Sequence, residues 1–213
     1  MNQTNPLWKA TYDAGSPEEM LETYSDWASD YDADTIDGMG YVGPTLSFRQ
    51  LDGLLDSTDA RVLDAGCGTG LVGELMKENG YSKVDAMDLS REMLLEAENK
   101  NVYDRLFTAD MSKRLDIDDN RYDAVICVGT FTYAHVGPEA FSELARVTRP
   151  DGYICFTVRD GAYQAYNYRN TMVELEADNT WELMEMRRED YLKKENVTAA
   201  YCAYKVLGDH HNA

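Results

Sequence analysis

Apolar positions along this chain alternate between two periods. Leu71, Val72, Leu75 and Met76 recur at helical spacing, whereas residues 122–128 are almost unbroken apolar sequence. The first pattern is that of an amphipathic helix, the second that of a strand buried on both faces. Strands are predicted over 61–64, 83–89, 105–109, 122–128 and 153–158. Helices are predicted over 71–79, after the cap Ser90 (with Met93, Leu94 and Ala97 inward), and from Pro138 (with Phe141, Leu144, Ala145 and Val147 inward). Pro150-Asp151-Gly152 reads as a turn and 161–178 as one further helix. Two strand-like runs, 181–191 and 197–207, suggest an antiparallel hairpin at a sheet edge. Strand–helix alternation of this kind implies a parallel sheet with helices on both faces. The expected fold class is α/β: a doubly wound, mostly parallel seven-stranded sheet with an antiparallel edge hairpin.

Ahead of this core the pattern is helical. Ser16 can cap, Pro17 suits a first turn, and Glu19 completes a capping box. Met20, Tyr24, Trp27 and Tyr31 share one face, with Asp26, Asp30, Asp32 and Asp34 turned mostly to solvent. Residues 38–44 read as loop and 45–55 as a second helix. The expectation is a single domain over 1–213, with an N-terminal helical lid at 16–55 and a cofactor-binding core at 60–160.

Composition narrows the partners. The 213 residues carry 39 acids against 20 bases, a formal charge of −19. A nucleic-acid binder needs a basic face to displace counterions, so nucleic acid is not an expected partner, nor is an anionic membrane. Cys67, Cys127, Cys155 and Cys202 form no C-x-x-C pair and read as small buried hydrophobes in a reducing compartment. The first residues lack the apolar run of a signal peptide, and a cytoplasmic location is expected. Whether a protein partner exists is left open.

The densest chemistry lies in Val62-Leu63-Asp64-Ala65-Gly66-Cys67-Gly68-Thr69-Gly70. An apolar strand ends in an acid, and glycines follow at every second position before a helix begins. Such a turn lets backbone approach a ligand at the start of a helix. Dinucleotide folds space their glycines G-x-G-x-x-G; here the spacing is Asp64-x-Gly66-x-Gly68-x-Gly70. The plain alternative is a tight strand-to-helix turn with no ligand.

Several motifs coincide with this loop: Tyr24-x-x-Trp27-Ala28-x-x-Tyr31-Asp32, Asp88-Leu89-Ser90-x-x-Met93-Leu94, Tyr122-Asp123-Ala124-Val125 and Arg149-Pro150-x-Gly152. Together they resemble class I S-adenosylmethionine-dependent methyltransferases over most of the chain. The stretch from the first tyrosine motif to Trp181 looks most similar to the methyltransferase-like proteins of the Williams–Beuren syndrome region. The resemblance implies S-adenosylmethionine as cofactor, held around Gly66, Gly68, Asp88 and the Val128–Gly129 strand end. It leaves the methyl acceptor open.

The ligand's chemistry suggests further partners. Gly66, Cys67 and Gly68 would cradle its amino-acid end, and Asp64 would hold the loop or accept from the amine. Asp88, about 20 residues past the glycines, suits the ribose hydroxyls. Asp110 would accept from the adenine amine, or else serve as a turn acid. Leu89 and Met111 would pack on the ring faces, and Gly129 would leave room beside the sulfonium. Tyr24 and Tyr31 are expected to touch the ligand, whereas Trp27 is expected to pack against the sheet.

For catalysis, His135 is the candidate general base, or else a plain loop or helix-start histidine; the matching position in the resembled family is not a fixed histidine. Tyr133, Tyr163, Tyr166 and Tyr168 are candidate acceptor-pocket residues, or equally ordinary packing. Gly129-Thr130-Phe131-Thr132-Tyr133 replaces the Asn/Asp-Pro-Pro-Tyr/Phe motif of base and amide N-methyltransferases. No His/Cys/carboxylate cluster has metal-ligand spacing, so no metal is expected. The reading is a methyltransferase with a small-molecule acceptor. The alternatives are a cofactor-binding module without turnover and, further off, a nicotinamide-dependent oxidoreductase.

Overall fold

The computed structural model describes residues 6–13, 16–132 and 136–208. One seven-stranded sheet runs through it: β1 (Val62–Ala65), β2 (Val84–Asp88), β3 (Arg105–Thr108), β4 (Tyr122–Phe131), β5 (Thr148–Arg159), β6 (Trp181–Leu192) and β7 (Val197–Val206), in the order β3-β2-β1-β4-β5-β7-β6. The first five strands pair in parallel. β7 runs antiparallel to β5, and β6 antiparallel to β7. The order reverses beside β1, and such a switch opens a crevice at the carboxyl ends of the strands.

Period-two alternation distributes the core to both faces. Val125 and Cys127 of β4, with Ile154, Phe156 and Val158 of β5, join Phe141, Tyr168, Trp181 and Tyr204 in one layer. Ala124, Ile126 and Val128 of β4, with Cys155 of β5, join Phe48, Leu51, Val72 and Met76 in the other. Helix α6 (Ala140–Val147) serves the first layer; α3 (Gly43–Asp52) and α4 (Leu71–Glu78) serve the second. The four cysteines are free and buried. No helix among the described residues is long and apolar enough to cross a membrane.

The local signals translate unevenly. Ser16 accepts from the Glu19 amide at the head of α2 (Pro17–Trp27), and Ser90 accepts from the Met93 amide at the head of α5 (Arg91–Lys100). A short helix, α1 (Pro6–Asp13), lies ahead of them, where no element was expected. Much of the expected loop over 38–44 is structured. A π-helical segment, Ala33–Met39, ends at Gly40, and Tyr41 bridges to Leu192. The expected turn at Pro150-Asp151-Gly152 is a bulge inside β5, where Tyr122 pairs with Thr148 and Ala124 with Tyr153. The single helix expected over 161–178 is two, α7 (Ala162–Ala165) and α8 (Tyr168–Ala177), broken where Asn167 takes a left-handed conformation at φ 63°.

The N-terminal acids divide. Asp26 and Asp30 are exposed, as expected. Asp32 is not a solvent acid: it accepts from the Thr69 hydroxyl and from Lys100 Nζ (2.6 Å), which also reaches Glu74 (2.7 Å). Asp34 accepts from the indole N–H of Trp27 at 2.8 Å. Ser25 donates to Glu92 at 2.9 Å. Polar clamps therefore tie the α2 region to α4, α5 and the glycine turn.

Candidate active site

The carboxyl ends of β1 to β4 open onto one cleft, closed from above by α2 and the segment after it. Tyr24, Tyr31, Asp64, Gly66, Cys67, Gly68, Asp88, Leu89, Asp110, Met111 and Val128 all line it. The structure thus brings together every cofactor residue that the sequence nominates. His135 and Tyr133 lie outside the described residues.

The glycine turn is held by its own amides. Gly66, Gly68 and Gly70 all have positive φ (76°, 54° and 92°), a region glycine enters without steric cost. The Gly66 and Cys67 amides both donate to the Met87 carbonyl (2.8 and 3.0 Å), and Gly70 donates to Cys67 (3.0 Å). The Gly68 amide donates to Asp88 Oδ2 at 2.8 Å. This network locks the turn between β1 and β2 and presents its surface to the cleft.

Asp64 sits at the centre of the site. It is fully buried, and its Oδ2 accepts from the Tyr103 hydroxyl at 2.6 Å. Tyr103 in turn accepts from the Gly73 amide of α4 at 3.1 Å. Asp64 Oδ1 is buried and has no hydrogen-bond partner. Burial pushes this carboxyl up to about 7, against the lowering effect of the Tyr103 bond and with a further upward push from Asp88. A buried acceptor without a donor is costly, and a cationic or N–H-bearing ligand would relieve it.

Asp88 ends β2 and binds two amides, Gly68 at Oδ2 and Ser90 at Oδ1 (2.9 Å). Burial raises its pKa, opposed by the backbone bonds from Ser90, Gly68 and Leu89. Each oxygen keeps a lone pair for a hydroxyl. Asp110 reaches the cleft wall but is also a turn acid: its Oδ1 accepts from the Ser112 amide (2.9 Å) and hydroxyl (2.6 Å), and Lys113 pairs with Oδ2 at 2.8 Å. Met111 is buried, while Leu89 is well exposed.

A second, smaller chamber adjoins the first. Tyr24, Tyr31, Tyr41 and Gly129 belong to the walls of both. Beyond them the second is lined by Trp8, Trp27, Thr132, Arg159 and Tyr191, among others. The hydroxyls of Tyr41 and Tyr191 lie 3.2 Å apart, and their rings meet edge to face at 4.9 Å. Gly129 (φ 84°) makes this possible, because a Cβ there would stand 2.9 Å from the Tyr41 hydroxyl and 3.1 Å from that of Tyr191. The space at Gly129 thus admits two phenols, a detail beyond the sequence expectation.

Of the tyrosines the sequence nominated for an acceptor pocket, Tyr163, Tyr166 and Tyr168 line neither chamber. Tyr168 is buried in the core with its hydroxyl on the Val136 carbonyl at 2.5 Å, Tyr163 packs against that core, and Tyr166 is exposed. The break at Asn167 leads α8 into the layer that holds Phe141 and Trp181. Trp8, Tyr41, Tyr103, Arg159 and Tyr191 were missed. Each belongs to the site through long-range packing that no local pattern announces. Trp27, expected to pack, is buried and stacks on Tyr24 with ring centres 6.3 Å apart. Among the described residues no cluster could hold a metal ion.

Comparison with known proteins gives the family and the fold. Residues 63–156 match the methyltransferase domain family. Human methyltransferase-like protein 27 is 32% identical over 171 residues, covering 77% of this chain and 69% of that protein. Malonyl-[acyl-carrier protein] O-methyltransferase of Buchnera aphidicola is 38% identical over 107 residues, half of this chain and 42% of that protein. A chain from the complex of the Haloferax volcanii Trm112 methyltransferase activator with a methyltransferase superposes at a TM-score of 0.68. It is 15% identical and covers 89% of this chain and 98% of that one, a likeness of fold.

Proposed function

This chain belongs to the class I S-adenosylmethionine-dependent methyltransferases, and on that footing we propose that it methylates a small-molecule acceptor seated in the chamber beyond Gly129. The observation that carries the reading is the wall shared by the two chambers at Tyr24, Tyr31, Tyr41 and Gly129. An acceptor held in the smaller chamber meets a donor held in the larger one only there.

The cleft residues suit the cofactor. S-adenosylmethionine supplies a methyl group already activated on a sulfonium for in-line displacement. Asp64 Oδ1 would take the ammonium of the amino-acid end, which gives that buried oxygen its missing donor. Asp88 would accept the ribose hydroxyls while still holding the glycine turn. Met111 and Leu89 would flank the adenine, with Asp110 beside them. Tyr24 and Tyr31 would close over the reacting groups and keep water out, offering ring faces to positive charge.

The chain's contribution to rate would then be alignment and desolvation. Burial holds the phenols of Tyr24, Tyr31, Tyr41 and Tyr191 above their ordinary pKa. They stay protonated at neutral pH and act as hydrogen-bond donors, not as bases. His135 remains the candidate base for an acceptor that must lose a proton. The Buchnera relative's acceptor is not carried over, since the likeness spans half of this chain.

The test is turnover of a methyl-labelled donor against a panel of small metabolites. Label transferred to one compound class supports the reading. Cofactor binding with no transfer across the panel, or transfer only to protein, overturns the small-molecule acceptor. Calorimetric titration with a nicotinamide dinucleotide should show no binding.

A further inference from the structure

Arg159 brings a cation to the smaller chamber. It is the last residue of β5, beside Gly129 and Thr132 at the ends of the central strands, and its guanidinium carbon lies 5.7 Å from the centre of the Trp8 ring. The remaining described lining of that chamber is aromatic, aliphatic or hydroxylic: Trp8, Trp27, Tyr41, Tyr191 and Thr132 stand among it, and no carboxylate does. This sits in a chain of charge −19, whose larger chamber is lined by Asp64, Asp88 and Asp110. The two chambers thus have opposite polarity across one shared wall. Burial pulls the Arg159 guanidinium down from its ordinary pKa and outweighs the upward pushes of Tyr191 and Asp160. Burial here costs the charged form, and an anion seated in the chamber would offset that cost. A guanidinium is also shaped to meet a carboxylate through two parallel N–H bonds.

We infer that Arg159 is the specificity-determining residue of the acceptor chamber, and that the acceptor is an organic carboxylate whose apolar body lies against the rings of Trp8, Tyr41 and Tyr191. This rests on the methyltransferase reading above and names its substrate class. The Tyr41 and Tyr191 hydroxyls, both protonated and close to the same chamber, can add donors to the carboxylate. The arrangement disfavours amines and other cations, which would meet like charge.

The experiment uses the full chain saturated with S-adenosylhomocysteine. Binding of acetate, hexanoate and phenylacetate is measured by calorimetry beside hexanamide and phenylacetamide. At least one acid should bind tenfold or more tightly than its amide. Arg159→Gln should bring that ratio close to one while leaving S-adenosylhomocysteine affinity within twofold. Arg159→Lys should keep part of the preference. Equal binding of acid and amide, binding by none of the acids, or a preference that survives Arg159→Gln overturns the inference. If the wild-type chain fails to bind S-adenosylhomocysteine at all, the methyltransferase reading fails first, which separates the two.

Discussion

The acid at the heart of the cleft makes a prediction that can be worked through. Asp64 is buried, its Oδ1 lacks a partner, and its carboxyl is pushed up to about 7. An ammonium seated at that oxygen requires the carboxylate form. At pH 6 roughly ten molecules in eleven hold the proton, whereas at pH 8 about one in eleven does. Cofactor affinity should therefore fall about tenfold from pH 8 to pH 6, about 1.4 kcal/mol, with close to one proton released per complex at the lower pH. In the free protein the sign runs the other way. The folded-state pKa lies above the unfolded value near 4, so protonated Asp64 contributes stability below about pH 4. That contribution is lost as pH rises through 7, on the order of 4 kcal/mol at most. The assay is titration with S-adenosylhomocysteine at pH 6, 7 and 8, in two buffers of different ionisation enthalpy. Asp64→Asn should weaken binding at pH 8 and flatten the profile. An affinity in the wild-type chain that does not change between pH 6 and 8, or the same slope in Asp64→Asn, refutes the reasoning.

Other predictions address the walls and the clamps. Asp88→Ala should weaken cofactor binding by a few kcal/mol at most, since it removes a charged acceptor and two amide bonds; unchanged calorimetric affinity would end the ribose role. Gly129→Ala places a Cβ 2.9 Å from the Tyr41 hydroxyl at a φ of 84°. It should cost about 1–3 kcal/mol in chemical denaturation and abolish methyl transfer. Lys100→Ala breaks the link among Asp32, Glu74 and α5. The melting change should correspond to about 1 kcal/mol or less, because these groups are partly exposed. The cofactor off-rate should rise by a larger factor, measured by stopped-flow displacement, if α2 and the segment after it close the cleft.

Legibility in the sequence followed the range of the forces. The sheet, its hairpin and the residues that meet in the cleft were readable because each depends on a local pattern: apolar runs, the glycine spacing, an acid at a strand end. Ser16 and Ser90 were readable as caps for the same reason. The smaller chamber was not readable, because Trp8, Tyr41, Arg159 and Tyr191 come from α1, the isolated bridge ahead of α3, and the ends of β5 and β6. Only the folded register sets them side by side. The single helix expected over 161–178 misled because Asn167 accepts a left-handed turn that breaks it, which no apolar period announces. Asp32 and Asp34 misled because acids beside an aromatic face usually meet water, whereas here Lys100, Thr69 and Trp27 reach them.

The polarity of the two chambers follows from where the chain keeps its charges. Burial raises the cost of ionising both Asp64 and Asp88, and Asp88 adds to that cost at Asp64, so bringing them together is unfavourable unless a cation visits. A donor with a sulfonium and an ammonium relieves that cost twice. An acidic cleft also holds such a donor more tightly than the neutral thioether that remains after transfer, so the same two acids that favour loading weaken their hold on the product. Arg159 stands across the shared wall, where an anionic acceptor would be drawn away from the acids and toward the guanidinium. Attraction on one side and repulsion on the other would thus orient the acceptor before any contact with the donor forms. In a chain with so many more acids than bases, a half-buried arginine at this position is informative.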